Sequence, residues 1–262
     1  MKIRVSKPVP VGVISKVLRI FELLDQFPAG LELKDVATKT GINKSTAYRF
    51  LSHLESECYL LRNETGAFML GPKLTRLGGG ISFETTLCTI CRPTLDNLRH
   101  VTSETVNLAV LDGASTVLLD VIESPHRFKL ASEVGTRGSV HCTALGKAIL
   151  ASMSEGHRKE EILASIRFEA HTPHTIMNMA RFKKQLALTR EKGFSHDDEE
   201  VISGVRCIGA AVFGSDGEVV AAISISGPTG RITKERLPYY SDQVCKAAQN
   251  ISRSLGYRAP KQ

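Results

Sequence analysis

The sequence predicts an α+β fold in two parts, a small winged helix-turn-helix domain at the N-terminus and a larger α/β domain after it. Three observations carry that reading. Residues 43–54 set Ala47, Phe50, Leu51 and Leu54 at i, i+3, i+4, i+7, one apolar stripe of a helix, and a hairpin pattern follows directly. From residue 84 onward, apolar runs joined by tight turns alternate with amphipathic stretches, which indicates antiparallel hairpins with helices gathered to the sides. A length of 262 residues suits two domains, since single cores rarely keep growing past ~250 residues.

Residues 1–12 mix basic residues with Pro and Gly and read as a flexible tail. Ser15 is the expected N-cap of a first helix carrying Val17, Ile20, Phe21 and Leu24, which Pro28-Ala29-Gly30 ends. A short helix over 33–39, the turn Thr40-Gly41-Ile42 and a second helix capped near Asn43 give the helix-turn-helix pattern. Opposite that helix's apolar stripe lie Ser45, Tyr48, Arg49 and Ser52, with Lys44 and Thr46 beside them. Hydroxyls, a phenol and a guanidinium are groups that bond base edges and phosphates. Strand-like runs over 59–62 and 67–70 flank the turn Asn63-Glu64-Thr65-Gly66, so the module is winged, with Arg62, Asn63 and Lys73 in reach of a phosphate backbone or minor groove. A helix over 72–77 then meets Gly78-Gly79-Gly80, a poor helix former that serves as a pliable joint or a simple spacer.

In the second part, residues 84–101 read as a helix broken or entered near Pro93. Runs over 106–111 and 116–122 form a hairpin about Asp112-Gly113, and a loop over 133–140 precedes a helix of small residues over 143–153. Helices over 155–166 and 178–192 follow, then the clearest hairpin of the chain, 205–213 with 218–226, and a last amphipathic helix over 234–255.

Period-two alternation places Ser224 and Ser226 on one strand face with Val220 and Ala222, and Cys207, Gly209 and Ala211 on one face of the partner strand. Small side chains leave room for a ligand of few atoms, and the hydroxyls offer it donors. The segment His141-Cys142-Thr143-Ala144-Leu145-Gly146-Lys147 opens a helix whose first N–H groups suit a carboxylate or another anion. The acidic loop Asp197-Asp198-Glu199-Glu200 supplies a carboxylate that can accept from ligand hydroxyls or order the anion-binding loop.

The formal charge of +7 is uneven: residues 1–80 hold 12 Lys/Arg against 7 Asp/Glu, the remaining 182 hold 22 against 20. A basic module on a near-neutral body is the distribution of a polyanion binder with a second function. No apolar run reaches membrane-span length and no signal segment opens the sequence, so the expected location is the cytoplasm, with no membrane partner. Six cysteines, at 58, 88, 91, 142, 207 and 245, lack the density of a disulfide framework. Cys88 and Cys91 have no second pair at zinc-finger spacing and read as two thiols on one helix face. No cofactor and no metal site is expected.

Five stretches together resemble the IclR family of bacterial transcriptional regulators. They are residues 13–24, NKSTAYRFLSHL over 43–54, HCTALGKAILA over 141–151, GFSHDDEEVISGVRC over 193–207 and AAISISGPTGR over 221–231. The resemblance spans residues 13–256. It implies a winged helix-turn-helix domain joined by a linker helix to a GAF-like α/β effector-binding domain. It also implies dimers or tetramers on palindromic double-stranded operators, and a small organic acid as effector. On that footing the expected domains are 13–71 for DNA binding, 72–83 for the linker, and 84–262 for effector binding and oligomerisation. The effector-contacting positions it implies are Ala144, Leu145, Asp197, Cys207, Ser224 and Ser226, with Gly146 in the same loop. Two departures from the pattern are Gly78–Gly80 inside a usually continuous linker and Leu145 where a smaller residue would leave the anion loop wider.

The function expected is an effector-controlled, sequence-specific DNA-binding regulator, more in keeping with a repressor, whose effector is a sugar acid or keto acid. Ser45, Tyr48 and Arg49 would read bases, while Ser52 and Arg62 would fix register on the backbone. The rival is a thiol enzyme using Cys142 or Cys207 as nucleophile with His141 or His196 as base. Adjacent residues of a regular helix point ~100° apart, a poor arrangement for His141 and Cys142. A metal-sensing regulator is a third class, for which the eight histidines and six cysteines assemble no visible ligand set.

Overall fold

The structure, a computed structural model, describes residues 12–78 and 82–258; the tail over 1–11 and, of the glycine joint, Gly79 and Gly80 lie outside the described residues. Contacts divide the chain into two compact units, Met1–Ser82 and Phe83–Gln262.

The first unit contains α1 (Gly12–Asp25), α2 (Leu33–Thr40), α3 (Lys44–Ser56), β1 (Leu60–Arg62), β2 (Phe68–Leu70) and α4 (Pro72–Gly78). Ser15 lies inside α1 and is not its cap. The spacing of Ile20 and Leu24 puts one face of α1 against Val36, Ala47, Leu51, Leu60 and Phe68, which close a single small core. Gly41 ends α2 in the left-handed conformation (φ 69°), and Asn43 caps α3 by accepting from the Ser45 amide. The wing is an antiparallel pair with Leu61 opposite Met69. Leu31 exchanges two backbone bonds with Phe68 (2.9 and 2.8 Å), which ties the wing to the turn after α1.

The second unit contains α5 (Phe83–Thr102), β3 (Thr105–Asp112), β4 (Ser115–Ile122), β5 (Arg137–Ser139), α6 (Ala144–Ser152), α7 (His157–Ser165), α8 (Met179–Lys192), β6 (Ser195–Asp198), β7 (Val205–Phe213), β8 (Val219–Pro228) and α9 (Leu237–Ser254). Its six strands run in the order β5-β4-β3-β8-β7-β6, every neighbour antiparallel. One sheet face packs Val106, Leu108, Ile208, Ile223 and Ile225 against α5 and α9. The other meets α6, α7 and α8 through Ala109 and Ala222, with Leu145, Ile149, Ile162 and Phe182 filling the layer.

Several further expectations change. Pro93 does not interrupt α5: burial of Leu87, Cys91, Leu95 and Leu98 along one face outweighs the ~3 kcal/mol that an interior proline costs. The loop over 133–140 contains a strand, β5, and the acidic loop begins as the edge strand β6. Val220 is not on the serine face, because a bulge opposite Val212/Phe213 breaks the alternation and turns it to the α5/α9 side. A short 3-10 turn, Lys234–Arg236, precedes the last helix.

The wing's return to α3 leaves no room at Gly71, where an added Cβ would lie 2.5 Å from the Cys58 carbonyl oxygen and 2.8 Å from the Tyr59 carbonyl carbon. Gly71→Ala is therefore expected to destabilise the first unit by ~1–3 kcal/mol, the usual range for overpacking. Denaturant unfolding reads the shift, and an unchanged midpoint would contradict the close approach.

Candidate functional site

The face of α3 turned away from the core carries Lys44, Ser45, Tyr48 and Arg49, all exposed, with Thr46 half-buried beside them. Tyr48 is 52% exposed, unusual for a phenol that could pack, and neither Lys44 nor Arg49 has an ion-pair partner among the described residues. Other expected DNA contacts are already engaged. The Ser52 hydroxyl is buried without a hydrogen-bond partner among the described residues, so it does not share the exposed face. Asn63 organises the turn: its Oδ1 accepts from the Thr65 amide, the Thr65 hydroxyl and the Ala67 amide, and its Nδ2 donates to the Ala29 carbonyl. Arg62 pairs with Glu55 at 3.0 Å and lies over the Phe68 ring, and Lys73 pairs with Glu57 and lies over Tyr59. Of these wing groups, Arg62 keeps 40% of its side chain exposed.

In the second unit, the sheet face toward α6 is apolar at Ala109 and Ala222, then changes character along the same strands. Asn107, Ser224, Ser226 and Cys207 line a cavity of about 330 Å³ there, with Thr143, Ala144 and Leu145 of the α6 start, Asp197, Leu118, Leu130, Thr136, Arg137 and Ile202. Asn107 Nδ2 donates to the Ser226 hydroxyl at 3.1 Å and to the Ser224 hydroxyl at 3.3 Å. Its Oδ1 is buried and has no partner among the described residues. Thr143 caps α6 by accepting from the Gly146 amide. Ala144 and Leu145 occupy the first turn, where backbone N–H groups have no intrahelical acceptor. The cavity thus holds amide donors at one wall and an amide–hydroxyl ladder on its floor.

Gly146 does not line the cavity; a Cβ there would sit 2.4 Å from Val140 Cα, so it is a packing glycine. Gly209 has a related role, admitting β7 to within 3.0 Å (Cβ position) of the Ala144 carbonyl, which the Ser195 hydroxyl also reaches at 2.5 Å. Asn107 was missed in the sequence; its signal is a lone amide at an inward position of an otherwise apolar strand.

Charge behind the cavity is concentrated in one pair. Lys147 is fully buried, and its Nζ lies 2.5 Å from Glu200 Oε1. Asp197 accepts the Glu200 amide at 2.6 Å, and burial raises its carboxyl to about 6 despite the nearby Lys147 charge. Burial also raises the Cys142 thiol to about 12, and burial followed by the Asp197 charge raises Cys207 further. Neither is a thiolate at neutral pH, which removes the activated nucleophile that a thiol enzyme requires. His141 and Cys142 precede α6 and so escape the helical geometry expected of them; with His171 they form a group of possible metal ligands whose atoms lie within 4.8 Å of one another. Spacing along the chain does not reveal this set, since His171 lies about thirty residues from the other two. No helix among the described residues is long and apolar enough to cross a membrane.

Two family profiles match this chain: "IclR helix-turn-helix domain" over residues 13–64 and "Bacterial transcriptional regulator IclR C-terminal" over residues 83–253. Transcriptional repressor IclR of Escherichia coli K12 is 31% identical over 246 residues, 93% of this chain and 89% of that protein. The HTH-type transcriptional regulator KdgR of Dickeya chrysanthemi is 33% identical over 247 residues, 93% of this chain and 81% of that one. A crystal structure of Thermotoga maritima IclR superposes with a TM-score of 0.64 at 30% identity, covering 95% of this chain and all of that one.

Asp197 gives a pH signature. Its folded carboxyl titrates near 6 against an ordinary 3.8, so protonated Asp197 favours the fold, and that contribution is lost as pH rises from about 4 through 6. Asp197→Asn keeps the acceptor for the Glu200 amide without the charge. The variant is expected to gain on the wild type by at most ~3 kcal/mol between pH 4.5 and 7.5, read by denaturant midpoints. Parallel stability curves for the two proteins would show that Asp197 is not desolvated as described.

Proposed function

The chain belongs to the IclR family of bacterial transcriptional regulators and is a DNA-binding regulator of transcription; from that premise we propose that it is a cytoplasmic repressor released from a palindromic operator by a small organic acid. The exposed Lys44, Ser45, Tyr48 and Arg49 side chains of α3, with the half-buried Thr46 beside them, enter the major groove, and Arg62 on the wing contacts phosphate. Two-fold operators require a dimer, or a tetramer built from dimers, with half-sites about one helical turn or a multiple apart.

The observation that carries the effector reading is the cavity's pairing of donors. Ala144 and Leu145 amides at the start of α6, with the buried Lys147 charge behind them, suit a carboxylate. Across the cavity, the unpartnered Asn107 Oδ1 can accept from a ligand hydroxyl, and Ser224 and Ser226 can donate to or accept from another. A molecule with a carboxylate at one end and hydroxyl or keto oxygens along its length satisfies both walls, which is why a sugar acid or keto acid fits best. A volume of about 330 Å³ limits it to a small metabolite.

Arg49→Ala is expected to lose ~1–3 kcal/mol of discrimination between operator and random duplex while its melting temperature stays unchanged. Footprinting on the chain's own upstream region decides this, and a wild-type footprint would remove Arg49 from the recognition surface. For the effector, a thermal-shift screen of sugar acids and keto acids should find a stabilising ligand, because binding only the folded form raises its melting temperature. Calorimetry of the Ser224→Ala/Asp197→Ala variant should then show weaker effector binding with unaltered DNA affinity. Wild-type effector affinity in that variant would place the ligand elsewhere.

A further inference from the structure

Beside the cavity but outside its lining, the turn before α6 and the segment between α7 and α8 bring His141, Cys142 and His171 together, one ligand atom of each within 4.8 Å of the others. His141 is fully buried, and its Nε2 lies 3.1 Å from the Glu169 carbonyl oxygen. A carbonyl only accepts, so the bonding assigns the ring proton to Nε2 and leaves Nδ1 with its lone pair. That Nδ1 is buried and has no hydrogen-bond partner among the described residues. An imidazole that donates one N–H to a backbone carbonyl and keeps the other nitrogen free is oriented as metal-ligating histidines are. The His171 ring stacks alongside at 6.3 Å between centroids, and the Cys142 thiol has only a long contact, 3.6 Å, to the Ser139 carbonyl.

We propose that His141, Cys142 and His171 form a site for a borderline divalent transition metal, Zn²⁺ foremost, with a fourth position open to water. Two imidazoles and a thiolate select such ions over Mg²⁺ or Ca²⁺, which take oxygen ligands. Tetrahedral bond lengths set ligand atoms about 3.3–3.6 Å apart, so closing on a metal needs a contraction of roughly 1 Å. His171 can supply it, being exposed and on a loop. On binding, the Cys142 S–H bond breaks, the sulfur's electron pair goes to the metal, and the proton leaves to solvent.

The site would bind two walls of the cavity together. Cys142 directly precedes Thr143, the cap of α6. His171 precedes Thr172, whose hydroxyl donates to the Glu199 carbonyl at 2.6 Å, and Thr175 donates likewise to the Glu200 carbonyl at 2.6 Å. A metal clamp there fixes the Asp197–Glu200 segment against the start of α6.

Titration of the untagged full-length protein with Co²⁺ tests the proposal, because thiolate coordination gives a near-ultraviolet charge-transfer band and tetrahedral cobalt absorbs in the visible. Saturation at one equivalent per chain is expected, with the near-ultraviolet band lost in Cys142→Ser. In His171→Ala the apparent affinity should fall roughly tenfold or more. His171 is exposed, so the metal-free melting temperature of that variant should match the wild type. Should Cys142→Ser fail to fold, Zn²⁺ competition against a chromophoric chelator in wild type and His171→Ala decides alone. Absence of stoichiometric uptake, or uptake that either folded variant leaves unchanged, overturns the site.

Discussion

The buried ion pair between Lys147 and Glu200 is the constraint around which the second unit's site is organised. Lys147 sits on α6 with no exposure, and the only counter-charge it touches among the described residues is Glu200. Removing either partner would strand a buried charge, at a cost of ~3–5 kcal/mol. The segment after β6 must therefore turn in against α6. Asp197, in register with Cys207 on β6, holds that turn by accepting the Glu200 amide, and the turn presents the Glu199 and Glu200 carbonyls to the Thr172 and Thr175 hydroxyls. The same ion pair lies on the helix whose first-turn amides line the cavity, so it fixes that wall against the segment after β6.

Much of this was legible in the sequence because it is local. Helix stripes, the Asn43 cap, the Gly41 stop and the hairpin turns are read within a few residues, and the structure has them where their patterns fall. Cys207, Ser224 and Ser226 were legible for the same reason, since period-two alternation fixes a strand's faces. Val220 shows the limit: one bulged residue reverses the face, and no composition signal marks it.

What the sequence withheld depends on partners distant in the chain. Asn107 meets Ser224 and Ser226 more than a hundred residues away, across the β3–β8 ladder. The retained helix at Pro93 is a tertiary decision, made by the apolar face it buries. Ser52 and Asn63 look free for DNA until the fold buries one hydroxyl and spends the other side chain on its own turn. His141, Cys142 and His171 converge only because two loops meet, and spacing along the chain gives no hint of it.

The unsatisfied groups explain why the cavity suits a sensor. Asn107 Oδ1 and Glu200 Oε2 are buried without partners among the described residues, and Asp197 is held by burial well above its usual titration. Each buried polar group left unpaired costs ~1–3 kcal/mol, and of these groups Asn107 Oδ1 lines the cavity, where a hydroxyl of a fitting ligand would satisfy it. Relief of that kind favours the liganded arrangement of the walls over others the segment can adopt, and a ligand shifts an equilibrium only by such differential energy. Every residue lining the cavity comes from the second unit, while the recognition face belongs to the first. On the proposed reading, control of DNA binding would pass as a change in how the second unit's walls are ordered, at a coupling of ~1–3 kcal/mol, a size that one or two satisfied groups can supply.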